Sequence, residues 1–154
     1  MIIAIDPDMR KSGVCTLNAL GQICALDSLT IVELMQLVAD MPKDTVYAIE
    51  DVNKVKAIYQ RNIRAKNAVG LKIAQSVGMV KATATLIIEI IEDMTGRPVI
   101  LAPVGLGKQF KNDAVLFKQV TGYQRQTNED KRDAYAIANW VFKNQERLVK
   151  PLQN

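Results

Sequence analysis

The stretch Met1-Ile-Ile-Ala-Ile-Asp6-Pro7 decides the fold. An apolar run delivers one carboxylate at its end, and proline follows at once. Such a run, bounded by a turn signal, suits a strand buried on both faces and therefore central in a sheet. In open α/β sheets, chemistry gathers where central strands end. Asp before Pro also starts ordinary turns, so Asp6 taken alone stays open between the two readings.

Thr45-Val-Tyr-Ala-Ile-Glu50 repeats the design, again ending on an acid. Between the two, Gly13 to Asn18 and Gln22 to Leu26 alternate about Leu20-Gly21 and read as a hairpin. Thr30 and Glu33 have the spacing of a capping box. They open a helix with Ile31, Leu34, Met35 and Val38 on one face, which Pro42 ends. Val52 to Ala65 shows no clear period and reads as a loop or an irregular helix entry. A long helix is predicted from about Lys66 to Met94, with Gly96 as its C-cap and Gly70 and Gly78 weakening it. Pro98 to Pro103 is a short strand, and Gly105 and Gly107 form a flexible loop. Lys108 to Val120 is predicted helical. A last helix runs from near Asn128 to about Leu148, with Ala134, Ile137, Ala138, Val141 and Phe142 on its apolar stripe. The order predicts an α/β fold: a mixed five-stranded sheet flanked by helices, with a three-stranded antiparallel meander and two parallel strands. If the first and fourth strands are neighbours, Asp6 and Glu50 lie side by side.

The chain of 154 residues fits one domain, 1–154. At 49% apolar and 23% charged residues it belongs with soluble globular proteins. It has no histidine, which excludes histidine catalysis and histidine metal ligands. Cys15 and Cys24 lack a metal-binding spacing and point to a reducing compartment. A hairpin turn centred on Ala19-Leu20 would set them opposite each other, and packed thiols are expected rather than a disulfide. The N-terminal stretch lacks a basic leader, and the apolar run Ala82 to Ile91 is interrupted by Glu89 and short for a bilayer. These features predict a cytoplasmic protein with no membrane partner.

Asp130-Lys-Arg-Asp133 sits in the first turns of the last helix, and its spacing puts both acids on one face. Acids there also complement the helix dipole, which does not account for two strand-end acids as well. Carboxylates gathered so closely repel, and protons or cations must relieve them. Mg²⁺ and Mn²⁺ prefer carboxylate and water oxygens. Two such ions about 4 Å apart can activate water and stabilise the leaving oxygen in phosphodiester cleavage.

These motifs resemble the RuvC-type Holliday junction resolvases of the RNase H-like superfamily, most of all their small phage and viral members. Ile2-Ile-Ala-Ile-Asp6-Pro7 is similar to the family's first motif and Tyr47-Ala-Ile-Glu50 to its second. Ala65-Lys-Asn-Ala68, Leu71-Lys72, Gln75 and Gly78 resemble the helix that follows. Asp130 and Asp133, with Ala134 and Ala136-Ile-Ala138, resemble the closing D-x-x-D-A motif. The resemblance implies Asp6, Glu50, Asp130 and Asp133 as catalytic metal ligands for two Mg²⁺ or Mn²⁺ ions. It also implies a lysine near the scissile phosphate, Lys111 ahead of Lys108, to stabilise charge on the phosphorane. Asp8 stands where the family has glycine. Asn53 stands near the place of an aromatic residue in many bacterial members.

No acid lies between Asp51 and Glu89. Lys54, Lys56, Arg61, Arg64, Lys66, Lys72 and Lys81 fill that interval, beside the second strand-end acid. A basic wall there would neutralise DNA phosphates while the metals receive one of them. Tyr59, between Lys56 and Arg61, is placed to stack on an unpaired base or to pack locally. Leu86-Ile-Ile and Ile90-Ile91 make the long helix apolar in most directions, which suits a core position or a subunit interface. The two-fold symmetry of a junction and the resemblance favour a homodimer, with Ile87 and Ile90 as interface candidates. The expected function is metal-dependent resolution of four-way and other branched DNA in recombination and repair. Rival readings are an RNase H-like nuclease on RNA or simpler DNA, and a non-catalytic junction-binding protein.

Overall fold

In the computed structural model, which describes residues 1–54 and 67–148, the first strand takes the central position that its apolar run implies. β1 (Ile2–Asp6) pairs antiparallel with β2 (Ser12–Leu17) and parallel with β4 (Val46–Glu50). β3 (Ile23–Leu29) lies outside β2, and β5 (Ile100–Ala102) lies outside β4, giving the order β3-β2-β1-β4-β5. This mixed sheet flanked by helices is the architecture expected from the sequence.

The period-two alternation of a strand sorts each side chain to one face. Ile3 and Ile5 of β1, with Tyr47 and Ile49 of β4, face a core built with Leu34, Val38, Ala84, Ile87 and Ile91. Those partners come from α1 (Ile31–Asp40) and α2 (Asn67–Thr95). Ile2, Ala4 and Ala48 face the opposite core, with Phe110, Phe117, Ala134, Ile137, Ala138 and Val141. That side is covered by α3 (Ala114–Thr121) and α4 (Glu129–Lys143). By the same alternation Asp6 and Glu50 fall on the α4 side of the sheet. Small residues set how near α4 comes. Ala4, Ala48, Ala134 and Ala138 are fully buried in the seam. A Cβ on Gly13 would collide with the Asp130 backbone.

The caps follow the sequence closely. Thr30 and Glu33 form the reciprocal capping box of α1, with Glu33 N–H donating to Thr30 Oγ1 at 3.3 Å and Thr30 N–H to Glu33 Oε2 at 2.8 Å. Asn128 caps α4 by accepting from Lys131 N–H at 3.0 Å.

Four expectations need correction. Lys108 to Val120 is not one helix: residues 104–112 are turns, and α3 begins only at Ala114, capped by Asp113. The last helix breaks at Asn144, whose side-chain amide donates to Trp140 O at 2.8 Å, and a single turn, α5 (Gln145–Leu148), follows. Cys15 lies opposite Leu26 rather than Cys24, and both thiols are free. The ladder slips between Thr16 and Leu17, and a one-residue slip sends a side chain to the other face. Finally, Ile87 is wholly buried against the sheet, while Leu86 (47% exposed), Met79 and Met94 of the same helix face outward. Ile87 is therefore core. The apolar outer face belongs to its neighbours.

The segment Lys72–Thr95 of α2 is long and apolar enough to cross a bilayer by length and composition. This exceeds the expectation drawn from Ala82 to Ile91 alone, although Ala84, Ile87 and Ile91 pack in the core of this fold. At the sheet's rims, β5 is three residues long and lies between Pro98 and Pro103. β3 carries the slip in its pairing and exposes Asp27.

The tight seat at Gly13 yields a prediction. Gly13→Ala should force α4 away from β2 and lower stability by about 1–3 kcal/mol, the usual cost of overpacking a filled site. The denaturant midpoint should fall at unchanged slope; an unaltered midpoint would show that the helix moves freely there.

Candidate active site

β1 and β4 run parallel with Ile5 beside Ile49, so Asp6 and Glu50 occupy the next positions on adjacent strands. Asp6 is the register partner of Gly13, and Gly13 is the seat of Asp130 at the start of α4. Asp133, one helical turn on, lies against Gly107, where a Cβ would run into its carboxylate. Two strand ends, one helix N-terminus and one loop thus meet at one end of the α4 seam.

The electrostatics show the crowding. Burial pushes the Asp6 carboxyl up to about 8, and the charges of Glu50, Asp133, Asp130 and Asp8 add to the shift. Asp133 is raised by burial and then by Glu50. Asp130 is raised by burial, then by Asp8 and Glu129. Asp8 thus brings a further negative charge where the resembled family has glycine. The loop around it is tied as an Asx turn, with Arg10 N–H donating to Asp8 Oδ1 at 3.1 Å and Asp8 N–H to Ser12 Oγ at 3.3 Å.

One acid is held in orientation, and another carries an unpartnered oxygen. Gly105 N–H donates to Glu50 Oε1 at 2.8 Å. Asp133 Oδ1 is buried and accepts no hydrogen bond among the described residues. A buried, unpartnered carboxylate oxygen among other acids is costly and is what a hard cation would satisfy. All donors available are carboxylate oxygens, so the residues fit Mg²⁺ or Mn²⁺. Among the described residues no three of these acids already surround a common point closely enough to form a finished cage.

Of the two lysines singled out, Lys111 reaches the site's edge. Its ammonium pairs with Glu129 Oε1 at 2.9 Å. That hydrogen bond raises its pKa, with smaller contributions from the charges of Glu129, Asp133 and Asp6. Lys108 is exposed, with its aliphatic chain close to Gly105. Of the basic stretch, Lys54 bonds Asp51 at 3.1 Å, and Lys72 is exposed on the first turns of α2. Lys56, Tyr59, Arg61, Arg64 and Lys66 lie outside the described residues.

Sequence reasoning treated Gly105 and Gly107 only as loop residues and passed over Glu129 and Arg132. The signal for the glycines was their place: two glycines after a strand, at the end of the sheet where the acids sit. The signal for Arg132 was its spacing four residues before Ala136, on the buried side of α4.

No protein-family model matches the chain, and no curated protein matches it. Solved structures do share its fold. Thermus thermophilus RuvC in complex with a Holliday junction substrate superposes with a TM-score of 0.57 at 15% identity, over 95% of each chain. A second Thermus thermophilus RuvC structure gives 0.51 at 16% identity, over 94% of this chain and 95% of that one. The fold is therefore RuvC-like.

The crowding predicts how stability depends on pH. Asp6 ionises near its ordinary 3.8 when unfolded and near 8 when folded. Across that window the folded chain binds more protons, so stability falls as pH rises. In chelator, the melting temperature should drop from pH 5 to pH 8. Asp6→Asn should flatten the slope, and Mg²⁺ or Mn²⁺ should raise the melting temperature more at pH 8 than at pH 5. A metal-free protein that melts higher at pH 8 than at pH 5 would contradict the crowded site.

Proposed function

We propose that this protein is a metal-dependent endonuclease that resolves four-way DNA junctions, acting as a homodimer. One observation carries the reading. Strand-end acids and the α4 pair converge at one end of a fold that aligns over 95% of its length with a RuvC bound to a Holliday junction. Asp6, Glu50, Asp130 and Asp133 would hold the divalent ions. When bound, such ions supply an activated water and neutralise charge on the leaving oxygen.

The chain's own residues do the rest. Asp6 keeps its proton at neutral pH while no cation is present, which lowers the repulsion among the acids until the site is filled. Gly105 N–H holds Glu50 in one orientation. Lys111 can leave the half-exposed Glu129 for a phosphate oxygen, because a surface ion pair holds it with no more than about 1 kcal/mol. Lys54 and Lys72 are exposed and would bind backbone phosphates without reading sequence; the sequence adds Lys56, Arg61, Arg64 and Lys66 to that set. The free thiols Cys15 and Cys24 suit a reducing cytoplasm, bacterial or phage-infected.

The outer face of α2 supports the homodimer. Ile31, Val32, Met35, Ala39 and Ile90 line an apolar groove of about 450 Å³ between α1 and α2. Leu86, Met79 and Met94 are also exposed on α2. Pairing two chains over this face gives the two-fold arrangement that symmetric cuts require.

Two experiments test the reading. A labelled four-way junction with Mg²⁺ should be cut in paired strands, and cold junction should compete better than duplex DNA or an RNA–DNA hybrid. Asp6→Asn, Glu50→Gln, Asp130→Asn and Asp133→Asn should each slow cleavage by more than about 10²-fold, the scale on which members of one catalytic unit act, with junction binding retained. Near-normal cleavage by two of them would sink the proposal. For assembly, Leu86→Lys should give folded monomers in sedimentation, whereas Ile87→Lys should unfold the chain by burying an unpaired charge. A wild-type monomer at micromolar concentration would exclude the dimer.

A further inference from the structure

Arg132 lies between the two acids of α4, is 7% exposed, and has no catalytic assignment. Its guanidinium does not bond the carboxylates beside it. Nε donates to Phe110 O at 2.7 Å and Nη2 to Lys111 O at 2.6 Å. Nη1 donates to Thr127 O and Thr127 Oγ1, both at 3.2 Å. A buried cation is costly unless its donors are satisfied. Here three nitrogens are spent on one loop and on the approach to α4.

That loop is the one running over the acids from Gly105 to Lys111. Glu50 holds its start through Gly105 N–H, and Asp133 lies against its middle at Gly107. Phe110 N–H closes a turn on Gly107 O at 2.8 Å, and the Phe110 ring packs edge-on against Phe117 with centroids 5.4 Å apart. At the far end, the backbone of Lys111 is gripped by Arg132, while its ammonium makes an exposed pair with Glu129. The guanidinium is rigid and planar, so its donors fix two successive carbonyls in one orientation.

We propose that Arg132 is a positioning residue. It straps the Lys111 loop to the acid-bearing helix, so that Lys111 and the carboxylates move as one unit when a phosphate arrives. The proposal rests on the nuclease reading given above and adds a residue outside the ligand set. Arg132 is written into the same helical turn as the acids, so helix and loop are tied by the shortest route available.

The test is Arg132→Lys, which keeps the charge but cannot reach both loop carbonyls and Thr127 with one ammonium. Amide exchange across 107–111 should accelerate by about tenfold or more, while β1 and β4 keep their protection. At saturating junction the cleavage rate should fall about 10–100-fold, the scale of a displaced charge-stabilising group, with junction Kd changed less than about twofold. In a Lys111→Ala background the same substitution should cost less than about threefold, because residues acting as one unit are not additive. Where Arg132→Lys lowers the melting temperature throughout, Thr127→Val removes one acceptor, leaves the guanidinium in place, and should show the same non-additivity at smaller amplitude. Unchanged exchange in 107–111 overturns the strap. A full loss that persists without Lys111 overturns its action through that lysine. A wild type that cuts no nucleic acid at all sinks the nuclease reading instead, and the exchange experiment still decides whether Arg132 holds the loop.

Discussion

The close approach of α4 to the sheet over Gly13 is the constraint on which the rest depends. Helices usually stand off a sheet by the length of the side chains between them. Here Ala4 and Ala48 below, and Ala134 and Ala138 above, shorten that distance along the seam. At its end, beside Asp6, β2 carries no side chain, and Gly13 leaves room for the Asp130 backbone. Only that spacing lets two helix acids and two strand acids face one another. A larger residue anywhere along the seam would separate the pairs before it exposed any core.

The same closeness works against stability. Asp6, Asp130 and Asp133 sit where burial disfavours their charge, and neighbouring carboxylates add to the penalty. The fold offsets this with two separate apolar cores, one on each face of the sheet. The local strain is also divided. A backbone amide from the Gly105 loop steadies Glu50, and Arg132 lends positive charge near Asp130. Sites built this way hold their chemistry because the surrounding structure over-determines them.

Much of this was legible in the sequence because period-two strands and capped helices leave strong local marks. Ile2 to Asp6 and Val46 to Glu50 were readable as buried strands that end on acids. Thr30 and Glu33 fixed the start of α1 to the residue. What local pattern could not show was the loop from 104 to 112. Lys108, Phe110 and Lys111 have helical composition, but the contacts of Gly105, Gly107 and Arg132 hold that backbone in turns, and tertiary contacts override propensity. The cysteine register failed for a related reason. The turn closes Asn18 on Gln22, centred on Leu20, and the ladder then slips at Thr16 and Leu17; neither leaves a mark in composition. Ile87 and Leu86 are equally apolar in sequence, and only the direction of the helix relative to the sheet tells core from surface.

The rims of the sheet restrict how copies of this chain can meet. β5 offers a three-residue edge between Pro98 and Pro103, and proline cannot donate to a new ladder. β3 presents the opposite edge with an irregular ladder and Asp27 turned to solvent, and neither feature favours an added strand. Continuous growth by strand addition is thereby discouraged at both ends. A two-fold contact over a helical face, by contrast, uses the same patch on both copies and closes at two. A chain with rims of this kind can reach high local concentration without templating a fibre.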